Sequence, residues 1–330
     1  MDKIKYEEKT PMILNDLIKF ALAFLVLAYS SRILVRSLSN IAQFLRISDY
    51  AISFILMGFA TSIPELFIAL TSGIHGTAAL SFGNIIGANI LNVTLLLGVI
   101  ALIAGQIPNR DRSIKTDAWL IFVMAVMPLL LTWDGILDRP DGLVLILLYF
   151  WYLNRLFVQQ KTLGRTLNHF GRKFRGPGWI LKEAALFVFG IMFLLAASAF
   201  VVTEAQNLTK TFNLDLGIFG ILIIAVGTTV PELTFGLRSV LHKHEQMTLG
   251  TAVGSIAVNS TLILGLLAML SPFSPEFLPN IKFSIAVLIA SLWLFNILLT
   301  GDKPAITRKE GMVLIVVYLI FAIISWIIAA

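Results

Sequence analysis

Stretches of apolar residues long enough to cross roughly 30 Å of hydrocarbon recur along this 330-residue chain, at about 13–36, 50–73, 80–104, 117–133, 142–158, 180–203, 215–240, 248–271, 281–300 and 311–329. Only 13% of residues are charged against 58% hydrophobic, with a mean hydropathy of +0.88. Soluble globular domains carry close to a quarter charged residues, so the chain must be solvated by lipid. Backbone amides in lipid are satisfied only within helices or closed barrels. The apolar runs lack the period-2 alternation that barrel strands need. The expected class is therefore an all-α integral membrane protein with ten transmembrane helices.

The ends and the loops add orientation. Asp2, Glu7 and Glu8 mix with Lys3, Lys5 and Lys9 at the start, so no cleavable signal peptide is evident, and the segment reads as an exposed or interfacial lead-in. The absence of cysteine excludes disulfides and thiol chemistry. Basic residues gather in alternate loops: Arg32, Arg36 and Arg46; Arg110, Arg112 and Lys115; Arg155, Lys161, Arg165, Arg172, Lys173, Arg175 and Lys182; Arg238 and Lys243; Lys303, Arg308 and Lys309. The positive-inside rule places these loops in the cytoplasm and both termini outside. The loop carrying Asp134, Asp138 and Asp141 falls on the outer side. The net charge of +6 then reflects topology and contact with anionic headgroups, not nucleic acid.

One segment occurs twice. Ala60-Thr-Ser-Ile-Pro-Glu-Leu66 returns as Gly227-Thr-Thr-Val-Pro-Glu-Leu233, an offset of 232 − 65 = 167. The same offset pairs His75 with His242, Gly83 with Gly250, Gly87 with Gly254, Asn92 with Asn259 and Gly98 with Gly265. Five helices, an odd number, lie between the copies, so the second enters the membrane from the opposite side. That is the signature of inverted repeats, whose site lies near the midplane between the two halves. The expected organisation is a first five-helix half at 1–158 with repeat 58–98, a basic cytoplasmic connector at 159–181, and a second half at 182–330 with repeat 225–265.

Each copy concentrates oxygen ligands. Pro64 and Pro231 have no N–H, so the carbonyls of Ala60 and Gly227 lose their helix partners. Thr61 and Ser62, or Thr228 and Thr229, precede the proline, and Glu65 or Glu232 follows it. An ionisable side chain at membrane depth marks a functional site by default. The all-oxygen set suits a hard cation, Ca²⁺ with six to eight ligands or Na⁺ with fewer, and softer-metal ligand sets are missing. On the following helix, Gly83 and Gly87, and Gly250 and Gly254, have the spacing that lets two helices approach closely. Ala88 with Asn92, and Ser255 with Asn259, stand four residues apart on one face.

Each feature has a plainer explanation alone. A glycine pair can serve packing, a proline can kink, and a buried asparagine can join helices. Their recurrence at one offset favours a shared ion site. His75 and His242 read as loop residues near helix ends, and Asp49, Asp117 and Asp215 as caps at helix starts.

Thr-Ser-x-Pro-Glu followed by Gly-Asn-x-x-Gly-x-Asn-x-x-Asn, duplicated in inverted form, resembles the paired repeats of the cation/calcium exchanger superfamily, and most of all prokaryotic sodium/calcium exchangers. The resemblance implies that Glu65, Glu232 and the carbonyls of Thr61 and Thr228 hold Ca²⁺. It implies Na⁺ sites at Ser62, Thr229, Ser255, the glutamates and the carbonyls near Gly58 and Ala225, with Asn92 and Asn259 lining the centre. This chain departs from the pattern in two ways. Ala88 stands where a serine is common, removing a hydroxyl from one implied Na⁺ site. Asn259 stands where many relatives carry aspartate, and Thr251 and Ile256 replace two further motif asparagines.

Charge balance supports the same mechanism. Two carboxylates are neutralised equally by one Ca²⁺, two Na⁺ or two protons, and low dielectric penalises imbalance. The expected function is Ca²⁺ extrusion against Na⁺ by alternating access, in a monomer of a prokaryotic cell membrane, with no cofactor apart from the transported ions. Ca²⁺/H⁺ exchange is the alternative within transporters, and a cation channel the alternative outside them. No Asp-rich diphosphate motif, His-Glu-x-x-His or Gly-x-Ser-x-Gly sequence points to an enzyme.

Overall fold

A computed structural model describes residues 2–44, 57–108, 112–162, 177–212, 214–241, 245–274, 281–300 and 305–329. The expectations for Arg46, Asp49, Arg110, Arg165, Arg172, Lys173, Arg175, His242, Lys243 and Lys303 fall outside these residues, as do the side chains of Arg112, Lys115, Asp117, Lys161 and Arg238.

The chain is helical almost throughout. Its first half comprises α1 (Asp2–Phe44), α2 (Met57–Thr61), α3 (Ile63–Ile74), α4 (Ala78–Leu91), α5 (Leu97–Ala104), α6 (Arg112–Leu131) and α7 (Arg139–Thr162). The second comprises α8 (Pro177–Phe212), α9 (Leu216–Phe219), α10 (Ala225–Thr228), α11 (Val230–Leu241), α12 (Glu245–Ala257), α13 (Leu264–Leu270), α14 (Ile281–Thr300) and α15 (Arg308–Ala329). Among the described residues, seven helical stretches are long and apolar enough to cross a membrane: 15–34, 78–104, 181–212, 216–241, 248–270, 281–300 and 308–328. Ile63–Ile74 and Ala118–Asp134 are apolar but shorter. The break at Ser62 bounds the first.

Helix ends depart from the expected bounds. α1 already begins at Asp2, where Lys and Glu are good helix formers, so the charged lead-in is helical. At about 1.5 Å per residue, α1 and α8, of 43 and 36 residues, are both longer than a hydrocarbon core is thick. They pack along each other.

Polar and apolar side chains are distributed as lipid solvation requires. Leu25, Tyr29, Phe150, Trp151, Phe189 and Met192 are exposed, while Glu65, Asn84, Asn92, Ser255 and Asn259 are buried. This is a multi-pass integral membrane protein. Two apolar clusters flank the buried polar layer. One unites α1 and α8 with Ile63, Ile68 and Phe219, and the larger one contains most of the remaining helices.

Matched contacts recur across the two halves. A Cβ on Gly98 would meet the Gly311 carbonyl at 2.7 Å, and one on Gly311 the Gly98 carbonyl at 2.9 Å. Gly265 and Gly142 repeat this arrangement at 2.7 and 2.6 Å. Strand β1 (Gln106–Pro108) pairs antiparallel with β2 (Ala305–Thr307), with Ile107 opposite Ile306. Leu137 and Phe273 exchange backbone hydrogen bonds of 2.8 and 3.2 Å in a similar bridge, and Phe273 lies 167 residues after Gln106. Gly105 and Gly135 have φ of +87° and +89°, a left-handed turn that glycine makes without steric penalty. Each turn delivers the chain into one of these bridges.

Candidate cation site

The duplicated segments form broken helices. The α pattern is interrupted at Ser62 (φ −84°, ψ 8°) and at Thr229 (φ −81°, ψ −4°). Pro64 and Pro231 then lie in the first turns of α3 and α11, where a missing N–H breaks no helical bond. Glu65 and Glu232 share those first turns, close to the positive ends of their helix dipoles. The interruption falls two residues before each proline.

Both glutamates are buried, at 0% and 1% exposure, and no carboxylate oxygen of either has a hydrogen-bond partner. Ser62 Oγ, both amide atoms of Asn92 and Asn259 Oδ1 are also buried without partners. Leaving one such group unsatisfied costs about 1–3 kcal/mol, more when it is charged. The ion pair found among the described residues, Lys19 with Asp16, lies away from this layer. A cluster of unpartnered oxygens with no ion-pair partner among the described residues has the chemistry of a candidate cation site.

Around the glutamates the oxygens form two poles. At the first, Thr61 Oγ1 lies 3.0 Å from Ser255 Oγ and donates to the Gly58 carbonyl at 3.3 Å, and Ser255 Oγ is 3.5 Å from that carbonyl. Glu232 lies against Thr61 and Ser255. At the second, Thr228 Oγ1 donates to Asn84 Oδ1 at 3.0 Å and approaches the Ala225 carbonyl at 3.3 Å, while Thr229 Oγ1 donates to Ala225 at 2.5 Å. Glu65 lies against Thr228. Each glutamate thus faces a threonine from the opposite half.

Between the poles, Asn259 Nδ2 donates to Asn89 Oδ1 at 3.1 Å, and Asn89 Nδ2 donates to Ser260 Oγ at 2.9 Å. These bonds hold α4 against the segment after α12. That segment, Val258–Ile263, is a π-helix, as is its counterpart Asn92–Leu96. A third π segment, Gly220–Ile224, leads into α10. Such widened turns recur at functional sites.

The eleven residues singled out in the sequence, Gly58, Thr61, Ser62, Glu65, Asn92, Ala225, Thr228, Thr229, Glu232, Ser255 and Asn259, are carried by α2, α3, α10, α11, α12 and the π segments at 92–96 and 258–263, with Ser62 and Thr229 at the two helix breaks. All are buried. Sequence reasoning missed Asn84, Asn89 and Ser260 as contributors, although Asn84 and Asn89 stand inside the quoted motif. Other expectations concern helix ends. His75 is exposed at the end of α3, with Nδ1 2.8 Å from the Thr71 carbonyl, and Asp215 caps α9 through Ile218 N at 3.0 Å.

In a multi-pass helical membrane protein, a buried oxygen layer that contains unpartnered carboxylates is a candidate site for cations. The sequence profile of the sodium/calcium exchanger protein family matches residues 16–158 and again 182–327. The chain belongs to that family. It is 26% identical to the sodium/calcium exchanger MaX1 of Methanosarcina acetivorans, over 95% of this chain and 99% of that protein. It is also 26% identical to the inner membrane protein YrbG of Escherichia coli, over 92% and 94%. Among solved structures, its fold is similar to that of the sodium-calcium exchanger NCX_Mj soaked with 10 mM Na⁺ and 10 mM Sr²⁺, at a TM-score of 0.64 and 23% identity over 93% of this chain and 97% of that one.

Proposed function

We propose that the chain is a secondary antiporter that exports Ca²⁺ in exchange for Na⁺ by alternating access. The observation that carries this reading is the pair of buried glutamates, which among the described residues have neither a hydrogen-bond partner nor an ion pair. Together they supply two negative charges, which one Ca²⁺ or two Na⁺ would balance. Because low dielectric penalises residual charge, the two loads compete for one site, and only an occupied, neutral site should allow the protein to change the side it opens to.

In this reading Ca²⁺ is held by Glu65, Glu232 and the carbonyls of Thr61 and Thr228. Na⁺ is held by the same two glutamates together with Ser62, Thr229, Ser255 and the carbonyls of Gly58 and Ala225, with Asn92 and Asn259 at the centre. The protein consists of two inverted five-helix halves, 1–158 and 182–330, joined by the connector 159–181, making ten spans in all. The twofold match of the family profile, the two reciprocal glycine pairs and the two β bridges support that architecture. The monomer works alone in a prokaryotic cell membrane with both termini outside, and exposed Arg32, Arg36, Lys182, Arg308 and Lys309 are consistent with basic cytoplasmic loops.

The test is ⁴⁵Ca²⁺ uptake into proteoliposomes loaded with Na⁺, with and without an outward sodium gradient and separately with a proton gradient. Uptake driven by the sodium gradient is expected. Uptake driven only by protons replaces sodium with H⁺ as the coupling ion, and uptake indifferent to both gradients refutes antiport in favour of a channel.

A further inference from the structure

The two poles of the site differ in the partner that each threonine hydroxyl meets across the halves. The 167-residue offset pairs Thr61 with Thr228, Gly58 with Ala225 and Ser255 with Ala88. Thr61 and Thr228 each approach the carbonyl three residues earlier at 3.3 Å, so their settings match closely. Thr61 then meets the Ser255 hydroxyl at 3.0 Å. The matching partner of Thr228 would be residue 88, and alanine has no oxygen to offer. Thr228 instead meets Asn84 Oδ1, also at 3.0 Å.

Asn84 stands four residues before Ala88, so both occupy the same face of α4 one turn apart. Its longer side chain places an oxygen beside Thr228 from one turn away. Asn84 is fully buried and its Nδ2 has no hydrogen-bond partner, a cost of about 1–3 kcal/mol that packing alone does not explain. Its counterpart in the other half, Thr251, carries no amide.

We infer that Asn84 supplies, at the pole formed by Thr228, Thr229 and the Ala225 carbonyl, the neutral oxygen that Ser255 supplies at the other pole, so that this second pole keeps a full ligand set for a monovalent cation despite Ala88. This rests on the reading of the protein as a Na⁺-coupled antiporter. The amide adds an oxygen without charge, so the balance set by Glu65 and Glu232 is kept. By accepting the Thr228 hydroxyl proton, it also leaves the lone pairs of that hydroxyl directed at an incoming cation.

The experiment compares wild type, Asn84→Ala, Ala88→Ser and Asn84→Ala/Ala88→Ser in proteoliposomes. It measures ⁴⁵Ca²⁺/Ca²⁺ self-exchange without Na⁺, then the Na⁺ concentration that halves it. Asn84→Ala should retain self-exchange while needing about tenfold more Na⁺, the effect of losing one buried oxygen contact. Ala88→Ser alone should change the sodium curve little, and in the Asn84→Ala background it should recover part of the loss. An unaltered sodium curve in Asn84→Ala, or no recovery in the double variant, overturns the assignment. Loss of Ca²⁺ self-exchange in Asn84→Ala overturns it as well, because Asn84 would then serve Ca²⁺ or the fold. Wild-type self-exchange that ignores Na⁺ defeats the sodium reading itself, a result distinct from these three.

Discussion

Adding one methyl group at Gly58 tests whether the first pole depends on the closeness of two helices. A Cβ there would lie 2.9 Å from Gly254 Cα and 3.0 Å from its carbonyl carbon. Ordinary contact begins near 3.4 Å, so α2 and α12 must separate by about 0.5 Å, and both obstructing atoms are backbone. The same movement stretches the Thr61–Ser255 contact from 3.0 Å to about 3.5 Å, and Ser255 to the Gly58 carbonyl from 3.5 Å beyond hydrogen-bond range. Overpacking of this kind costs roughly 1–3 kcal/mol. Gly58→Ala should therefore lower the thermal unfolding midpoint and weaken Na⁺ competition with ⁴⁵Ca²⁺ exchange. Gly178 is the control, since a Cβ there meets nothing within 4 Å, and its replacement by alanine should leave transport unchanged. Wild-type stability and an unshifted sodium curve in Gly58→Ala would refute the idea that the pole is set by this approach.

Glu65→Gln and Glu232→Gln should each leave the protein folded but abolish exchange. Two unit charges about 4 Å apart interact by about 4 kcal/mol at an effective dielectric of 20, so equilibrium ⁴⁵Ca²⁺ binding should weaken on the order of a thousandfold. Near-normal binding in either variant removes that residue from the site. Asn89→Ala strands Asn259 Nδ2 and Ser260 at the centre, and should destabilise the protein by about 2 kcal/mol while weakening Ca²⁺ binding. Denaturation at wild-type temperature would show that the bridge is dispensable. Asp138 and Asp141 accept each other's backbone N–H at 3.1 Å at the start of α7, so Asp138→Ala should cost about 1 kcal/mol of stability without altering the ion dependence of transport. A changed ion dependence would tie this cap to the site.

The sequence revealed the glutamates because a carboxylate in an apolar run is conspicuous, and because its duplication at a fixed offset does not depend on the fold. Close helix approach was also legible in the glycine spacing, but the partners were not. Gly83 faces Gly217, Gly87 faces Ile221 and Ala225, and Gly254 faces Gly58, pairings that only tertiary packing decides. Asn84 and Asn89 escaped notice for a related reason. Their contacts cross between the halves, and their counterparts Thr251 and Ile256 break the repeat that made other residues visible. Each helix break falls on Ser62 or Thr229, because proline has no N–H with which to continue the preceding helix and sits comfortably in the first turn of the next. The π segments leave no mark on hydrophobic periodicity, because they are buried on nearly every side and present no solvent-facing stripe whose phase could shift.

The two π segments at 92–96 and 258–263 also act as phase adjusters. An α-helix advances by about 100° per residue, and a π turn accommodates one residue more, resetting the facing of everything beyond it. In each half the asparagine at the widened turn lies in the polar layer, while the glycine six residues later, Gly98 or Gly265, lies against an outer helix. Removing one residue from either segment would restore plain α geometry and rotate that glycine away from its partner. The surplus residue thus lets one rod serve two neighbours in different directions, coupling ligand placement to the outer frame.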